Sequence, residues 1–178
     1  MSQQGFTPQF ATTYRDIVLG GFRREVETTR KVIASIPDAK SDYRPDPNAR
    51  SAKDLAWHIA TSELFFLNSI LNLKFEMSAP PEEPATIADI LAWHEEHVQP
   101  ALNRVSQMGG EQLVTPINFA GVFNFPAVMY LNFLNNHSIH HRGALAMYLR
   151  PMGAKVPSIY GGSYDEPFKM PEPAEAVA

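Results

Sequence analysis

The chain has 178 residues, of which 44% are hydrophobic and 19% charged, and its formal net charge is −4. This length fits one domain over residues 1–178 with a single core. No apolar run approaches the roughly 20 residues that cross a bilayer, which excludes an integral membrane protein. The negative charge and the lack of a Lys/Arg-rich block argue against nucleic acid as a partner. The N-terminal stretch MSQQGFTPQFATTYRD lacks a basic segment followed by an apolar one, so a cytoplasmic location is expected.

The sequence contains no cysteine. This excludes disulfides, zinc–thiolate sites and a protein thiol nucleophile. Any metal must therefore be bound by histidine, aspartate or glutamate, and any thiol chemistry must use a thiol from outside the protein.

Apolar residues recur at helical spacing in four segments, which predicts helices over residues 12–35, 51–73, 86–108 and 126–150. Ser51 and Thr86 each stand three residues before an aspartate, the pattern of a capping box at a helix start. Prolines follow the first and fourth segments, and Gly109-Gly110 is predicted to end the third.

The connections between these segments are polar or rich in proline. The link SAPPEEPA cannot be helical, and residues 111–125 hold β-prone runs that predict a small hairpin or an extended loop. The tail from about residue 168 has a composition typical of a flexible end. Four helices of this length predict an all-α fold, a four-helix bundle of antiparallel type.

Three of the six histidines lie within five positions of the fourth helix, in NHSIHHRGALAMYLRPMG. At 100° per residue His137 and His141 share the apolar face, because they are four residues apart. His140 falls at the shoulder of that face, and Arg142 lies well outside it. Two imidazoles at this spacing can bind one metal ion, although the glutamate of the zincin motif is missing.

The second helix offers a third ligand, His58, in DLAWHIATSELFF. Ser62 and Ser69 follow His58 on the same side of the helix, where small side chains leave room for a pocket. If the second and fourth helices are neighbours, three neutral nitrogens converge and leave coordination positions open for water or substrate.

Two other interpretations of the histidines bear on this prediction. A single histidine on an apolar face is more often a hydrogen-bonded core residue than a ligand, but burying three without a common partner is costly. His94 and His97, in AWHEEHVQP, lie one residue short of a metalloprotease motif and are interpreted as part of a solvated charged face.

Taken together, DLAWHIA, NHSIHHRGALAMYLRPMG and VPSIYGGSYDE resemble the DinB-like family of metalloenzymes (DinB/YfiT-like four-helix bundles). The resemblance covers nearly the whole chain, including RPDPNARSAKDLAWH before and within the second helix. It implies an up-down-down-up bundle with a long crossover between helices two and three. It also implies a divalent metal, nickel, zinc, iron or manganese, on His58, His137 and His141.

The resemblance further implies a homodimer and a small-molecule substrate. Some relatives are transferases or isomerases that use low-molecular-weight thiols such as bacillithiol or mycothiol. The first hypothesis is therefore a metal-dependent enzyme, a transferase or hydrolase-like metalloenzyme that uses an external thiol or water. Arg142 and Tyr160 are candidate substrate contacts, but a structural ion pair for Arg142 and a packing role for Tyr160 are alternatives.

Two further hypotheses remain open at the level of sequence. The chain could bind a metal or small ligand without catalysis, as a stress-response protein. The histidine cluster could also be structural and free of metal, in which case replacing His58 by leucine would be tolerated.

Overall fold

The architecture was taken from a computed structural model, which describes residues 7–79 and 81–168. Within them, five α-helices and one two-stranded antiparallel sheet form. The helices are α1 (Pro8–Ala34), α2 (Ala52–Asn72), α3 (Ile87–Ser106), α4 (Gly110–Val114) and α5 (Tyr130–Leu149), and the strands are β1 (Pro116–Phe119) and β2 (Phe123–Pro126). The flexible tail predicted from about residue 168 falls almost wholly outside the described residues.

The two predicted capping sites begin helices as expected. Ser51 Oγ accepts a hydrogen bond from the backbone N of Asp54 at 3.0 Å, and the Asp54 carboxylate accepts one from the backbone N of Ser51 at 3.1 Å. At α3, Thr86 Oγ1 accepts from the backbone N of Asp89 at 3.1 Å. These bonds satisfy donors that the first helical turn leaves free, so both helix starts are encoded locally.

Helix boundaries differ from the sequence prediction at α1, at α4 and at α5, which begins at Tyr130 instead of residue 126. Helix α1 begins four residues earlier, because Thr7 Oγ1 caps the backbone N of Phe10 at 3.2 Å and Pro8 suits the first turn. The Gly109-Gly110 pair opens the short helix α4 rather than only ending the helix before it. A Cβ on Gly110 would stand 2.4 Å from the Pro8 carbonyl oxygen, so this close approach of α4 to α1 requires glycine.

Of the two alternatives predicted within residues 111–125, the structure forms the hairpin, with Ile117 opposite Phe125 and a turn at Ala120 and Gly121, which have φ of 51° and 74°. After a short 3-10 turn over Ala127–Met129, α5 begins at Tyr130, so it corresponds to the fourth predicted helix.

The four long helices form a ring in which each packs against two neighbours. Helix α2 lies between α3 and α5, and α1 completes the ring against α5 and α3. Two clusters of buried side chains fill the interior, one around Phe22 and Leu134 and the other around Ile59 and Leu145. The all-α bundle is therefore confirmed, and it makes α2 and α5 neighbours, as a shared histidine site requires.

Residues 73–86 connect α2 to α3, which matches the long crossover expected between the second and third helices. Among residues 7–79 and 81–168, no helix combines the length and apolarity needed to span a bilayer.

Candidate metal centre

The three histidines singled out in the sequence meet between α2 and α5. Nε2 of His58 and Nε2 of His141 are 3.2 Å apart, and one nitrogen from each of His58, His137 and His141 lies within 4.8 Å of the others. The centroids of the three rings are 4.4 to 5.0 Å apart in pairs. The i,i+4 spacing on α5 and the packing of α2 against α5 together produce this arrangement.

All three imidazoles are half-buried, which determines their protonation. Burial is the largest cause that lowers the pKa of His58, His137 and His141 to about 4, and neighbouring imidazoles and the Arg50 guanidinium contribute to the same shift. A buried imidazole disfavours its charged form, and the nearby positive groups add to this effect. At neutral pH the cluster is therefore uncharged, and its nitrogen lone pairs are available to a cation.

One imidazole of the cluster, that of His137, has no hydrogen-bond partner among the residues that the structure describes. Neither ring nitrogen of His137 forms a hydrogen bond within the described part of the chain, and its Nδ1 is buried. By contrast, Nδ1 of His58 lies 3.4 Å from Ser62 Oγ, one turn along α2. An orphaned buried nitrogen is costly unless a ligand pairs with the ring, so the cluster is incomplete as a purely structural feature.

His140 lies beside the cluster but outside it. Its side chain is exposed, and its ring centroid is 4.8 Å from that of His141 in an edge-on contact. This position matches the shoulder that the helical wheel predicts for it.

Arg50 is a residue near the cluster that the sequence interpretation missed. It directly precedes the Ser51 cap of α2, is exposed, and has no hydrogen bond or ion pair within residues 7–79 and 81–168. Its charge nevertheless acts on all three histidines. The only sequence signal was its position in RPDPNARSAKDLAWH, two helical turns before His58.

The helical wheel predicts that Arg142 lies outside the buried face of α5. In the structure Arg142 is instead buried, with 1% of its surface exposed. Its Nη1 is 2.5 Å from Glu25 Oε2 of α1, and its Nη2 donates to the Tyr160 hydroxyl. That hydroxyl in turn donates to Glu25 Oε2 at 2.8 Å, although Tyr160 is 70% exposed overall. The prediction failed because α5 packs against α1 as well as α2, so a second side of the helix is buried. The contacts of Arg142 and Tyr160 are thus with α1 and with each other.

The interpretation of His94 as part of a solvated face is wrong. His94 is fully buried, and its Nε2 lies 2.7 Å from Oε2 of Glu63 on α2, which is also fully buried. Arg30 Nη1 is 3.4 Å from the other ring nitrogen, Nδ1. A guanidinium can only donate, so Nδ1 accepts and the Nε2 proton is donated to Glu63. His97 instead stacks on Trp93 with ring centroids 4.4 Å apart.

A cavity of about 550 Å³ opens beside His58 and extends along α2 beneath the connection to α3. Ser62 and Ser69 line it, as their small size predicts. The cluster of three histidines therefore adjoins a space large enough for a small organic molecule.

The fold and sequence are similar to those of known proteins. A solved DinB-like protein from Bacillus cereus ATCC 10987 superimposes with a TM-score of 0.70 and 26% identity, over 80% of this chain and 95% of that one. The DinB-like protein YjoA of Bacillus subtilis superimposes with a TM-score of 0.66 and 23% identity, over 80% and 96%. The latter likeness shows the shared fold alone.

Sequence comparison leads to the same group. The uncharacterized protein YrdA of Bacillus subtilis (strain 168) is 27% identical over 153 residues, which is 85% of this chain and 90% of YrdA. YjoA is 28% identical over 143 residues, 76% of this chain and 89% of YjoA. The model of the DinB family matches residues 8–173. The chain therefore belongs to the DinB family.

Proposed function

We propose that this protein is a metal-dependent enzyme whose divalent ion is bound by His58, His137 and His141, and that it transfers a low-molecular-weight thiol to an electrophilic small molecule. The observation that carries the proposal is the convergence of three uncharged imidazoles within 4.8 Å beside a cavity. Family membership supports the same conclusion.

The donor set fits a transition-metal ion. Two imidazoles bound tetrahedrally to zinc at about 2.0–2.1 Å have nitrogens about 3.3 Å apart, and the His58 and His141 nitrogens are 3.2 Å apart. The unpartnered imidazole of His137 gains a partner when it binds the ion. Imidazole ligands suit zinc, nickel, copper and iron alike, so the donor set restricts the metal to this group without selecting one.

Three neutral ligands would not offset the charge of a divalent ion. That charge can stabilise a thiolate or lower the pKa of a bound water. The chain's own contribution is to hold the imidazoles neutral by burial. Ser62, whose hydroxyl is 3.4 Å from His58 Nδ1, helps to orient that ring. The chain has no cysteine, so the thiol must be an external reactant.

The first experiment measures metal content and turnover in the same preparations. Elemental analysis of protein purified without chelator should give about one equivalent of a transition metal, and His137→Ala should give little. His97→Ala is the matched control for metal content, because His97 stacks on Trp93 and is not one of the three residues whose nitrogens converge. Conjugation of monochlorobimane with a panel of thiols then tests the reaction, with His141→Ala as the inactive variant.

The outcomes separate the three hypotheses. Metal uptake with thiol-dependent turnover supports the enzyme. Metal uptake without turnover with any thiol or with water contradicts it and leaves the non-catalytic binding protein. No uptake even with added nickel or zinc, together with a His58→Leu variant as stable as the native protein, leaves a structural cluster.

The homodimer and the cytoplasmic location belong to the same proposal. The family resemblance, which implies a dimer, supports the homodimer.

A further inference from the structure

The cavity beside His58 extends well beyond the histidine cluster. Its lining follows α2 from His58 through Asn68 to Asn72, and fourteen residues of helix span about 21 Å. Residues 76–79 of the connection to α3 and Trp93 of α3 form the facing wall. The space is therefore a groove with His58 at one end, and it is longer than a group that reaches only His58 would need.

The walls of the groove differ in chemistry. Phe65, Met77 and Trp93 supply apolar surface, and Met77 is 80% exposed although it is a large hydrophobic residue. On the α2 side Asn68 is half-buried, and its amide forms no hydrogen bond with any residue that the structure describes. An amide offers both donors and an acceptor, so it pairs well with an amide or hydroxyl of a ligand.

The lining carries no unpaired charge. Lys74 and Glu76 are the charged residues of the wall, and their side chains form an ion pair with each other. The charge of the lining therefore cancels, which favours an uncharged ligand body over an ionic one.

We propose that this groove binds the uncharged, extended body of the thiol reactant, a chain about 15 Å long that carries amide or hydroxyl groups and has its reactive end at the histidines. The length is the rise of α2 from His58 to Asn68, ten residues at 1.5 Å each. Apolar parts of the body contact Phe65 and Trp93, and its polar groups pair with Asn68. This inference rests on the proposed function for the placement of the reactive end, but not for the existence of the groove.

Pantetheine is a suitable probe because it is an uncharged thiol with two amides in an extended chain. 2-Mercaptoethanol presents the thiol without that body. Isothermal titration of the metal-loaded protein should show pantetheine binding about tenfold more tightly or better, since burying about 60 Å² of apolar surface corresponds to one decade of affinity. 4′-Phosphopantetheine, which adds a dianion at the far end, should bind no more tightly than pantetheine.

Asn68→Trp should obstruct the groove and reduce the affinity for pantetheine to that for 2-mercaptoethanol, without changing metal content. Asn132→Trp is the matched control, because Asn132 is exposed on α5 and lies outside the lining. Ala79→Trp places the obstruction on the facing wall and should have the same effect as Asn68→Trp, which guards against a folding defect in either variant.

The results distinguish a failure of the groove from a failure of the metal proposal. The proposal that the groove binds the thiol's body is contradicted if the native protein binds the two thiols with equal affinity. It is also contradicted if both Asn68→Trp and Ala79→Trp leave pantetheine binding unchanged. If 4′-phosphopantetheine binds more tightly than pantetheine, the proposal that the ligand body is uncharged is wrong. If the protein takes up no metal but binds pantetheine, and Asn68→Trp weakens that binding, the groove is supported and the proposed function is contradicted. No binding of pantetheine with or without metal overturns the groove as well.

Discussion

The buried contact between Glu63 and His94 should contribute strongly to stability, and replacing one partner should show this. Both side chains are 0% exposed, and their nearest atoms are 2.7 Å apart. Glu63→Leu removes the acceptor and leaves the Nε2 proton of His94 buried without a partner. A buried donor left without its acceptor costs about 1–3 kcal/mol.

This loss can be expressed as a change in melting temperature. At about 2.1 cal/mol/K per residue, unfolding of 178 residues has an entropy near 0.37 kcal/mol/K. A loss of 1–3 kcal/mol therefore lowers Tm by about 3–8 °C. Urea titration and thermal melts followed by circular dichroism measure both quantities.

A double-mutant cycle tests the physical reason for the loss. His94→Leu should also destabilise the protein, whereas Glu63→Leu combined with His94→Leu should lose less than the sum, because two apolar side chains leave no buried polar group. Glu96→Leu is the control; Glu96 is exposed on the same helix as His94 and should change stability by no more than about 0.5 kcal/mol. Single variants that lose less than about 1 kcal/mol, or strictly additive losses, would refute the reasoning.

Three further predictions rest on the structure, and a fourth rests on the family resemblance. Tyr130→Phe removes a buried hydrogen bond of 2.8 Å from the hydroxyl to the Ile117 carbonyl and should cost about 1–2 kcal/mol in a urea titration; an unchanged midpoint would contradict it. In metal-free protein the pKa values of His58, His137 and His141 are held at about 4, below the value near 6.5 of an unfolded chain. The unfolded chain then binds more protons between these values, so the stability present above pH 6.5 should fall on acidification toward pH 4. Replacing all three histidines by leucine should flatten this dependence, and a slope that persists would exclude them as its source. A chelator should lower the Tm of metal-loaded protein but not of His137→Ala, because a ligand of the native state stabilises it; equal shifts would place the metal elsewhere. Light scattering should give twice the chain mass of 19.9 kDa, and a monomer at micromolar concentration would exclude the proposed homodimer.

Local signals in the sequence determined most of the helical framework. The Ser51 and Thr86 caps depend on residues within three positions of each other, so they could be recognised without knowledge of the fold. The common side of His137 and His141 likewise follows from the period of one helix. The pairing of these two residues with His58 also required that α2 and α5 be neighbours, which the family resemblance implied and the structure confirmed.

Only the tertiary structure decided which other faces are buried. A helical wheel orders side chains around one axis, but it does not state how many neighbours the helix has. Helix α5 contacts both α2 and α1, and α3 contacts both α2 and α1. Arg142 and His94 are therefore buried on sides that the sequence pattern classified as polar, each with a partner far away in the chain, Glu25 and Glu63. The nearness of Arg50 to the histidines and the groove beneath the α2–α3 connection have the same origin. They depend on distances between segments, and these are determined by how the helices pack rather than by any local pattern.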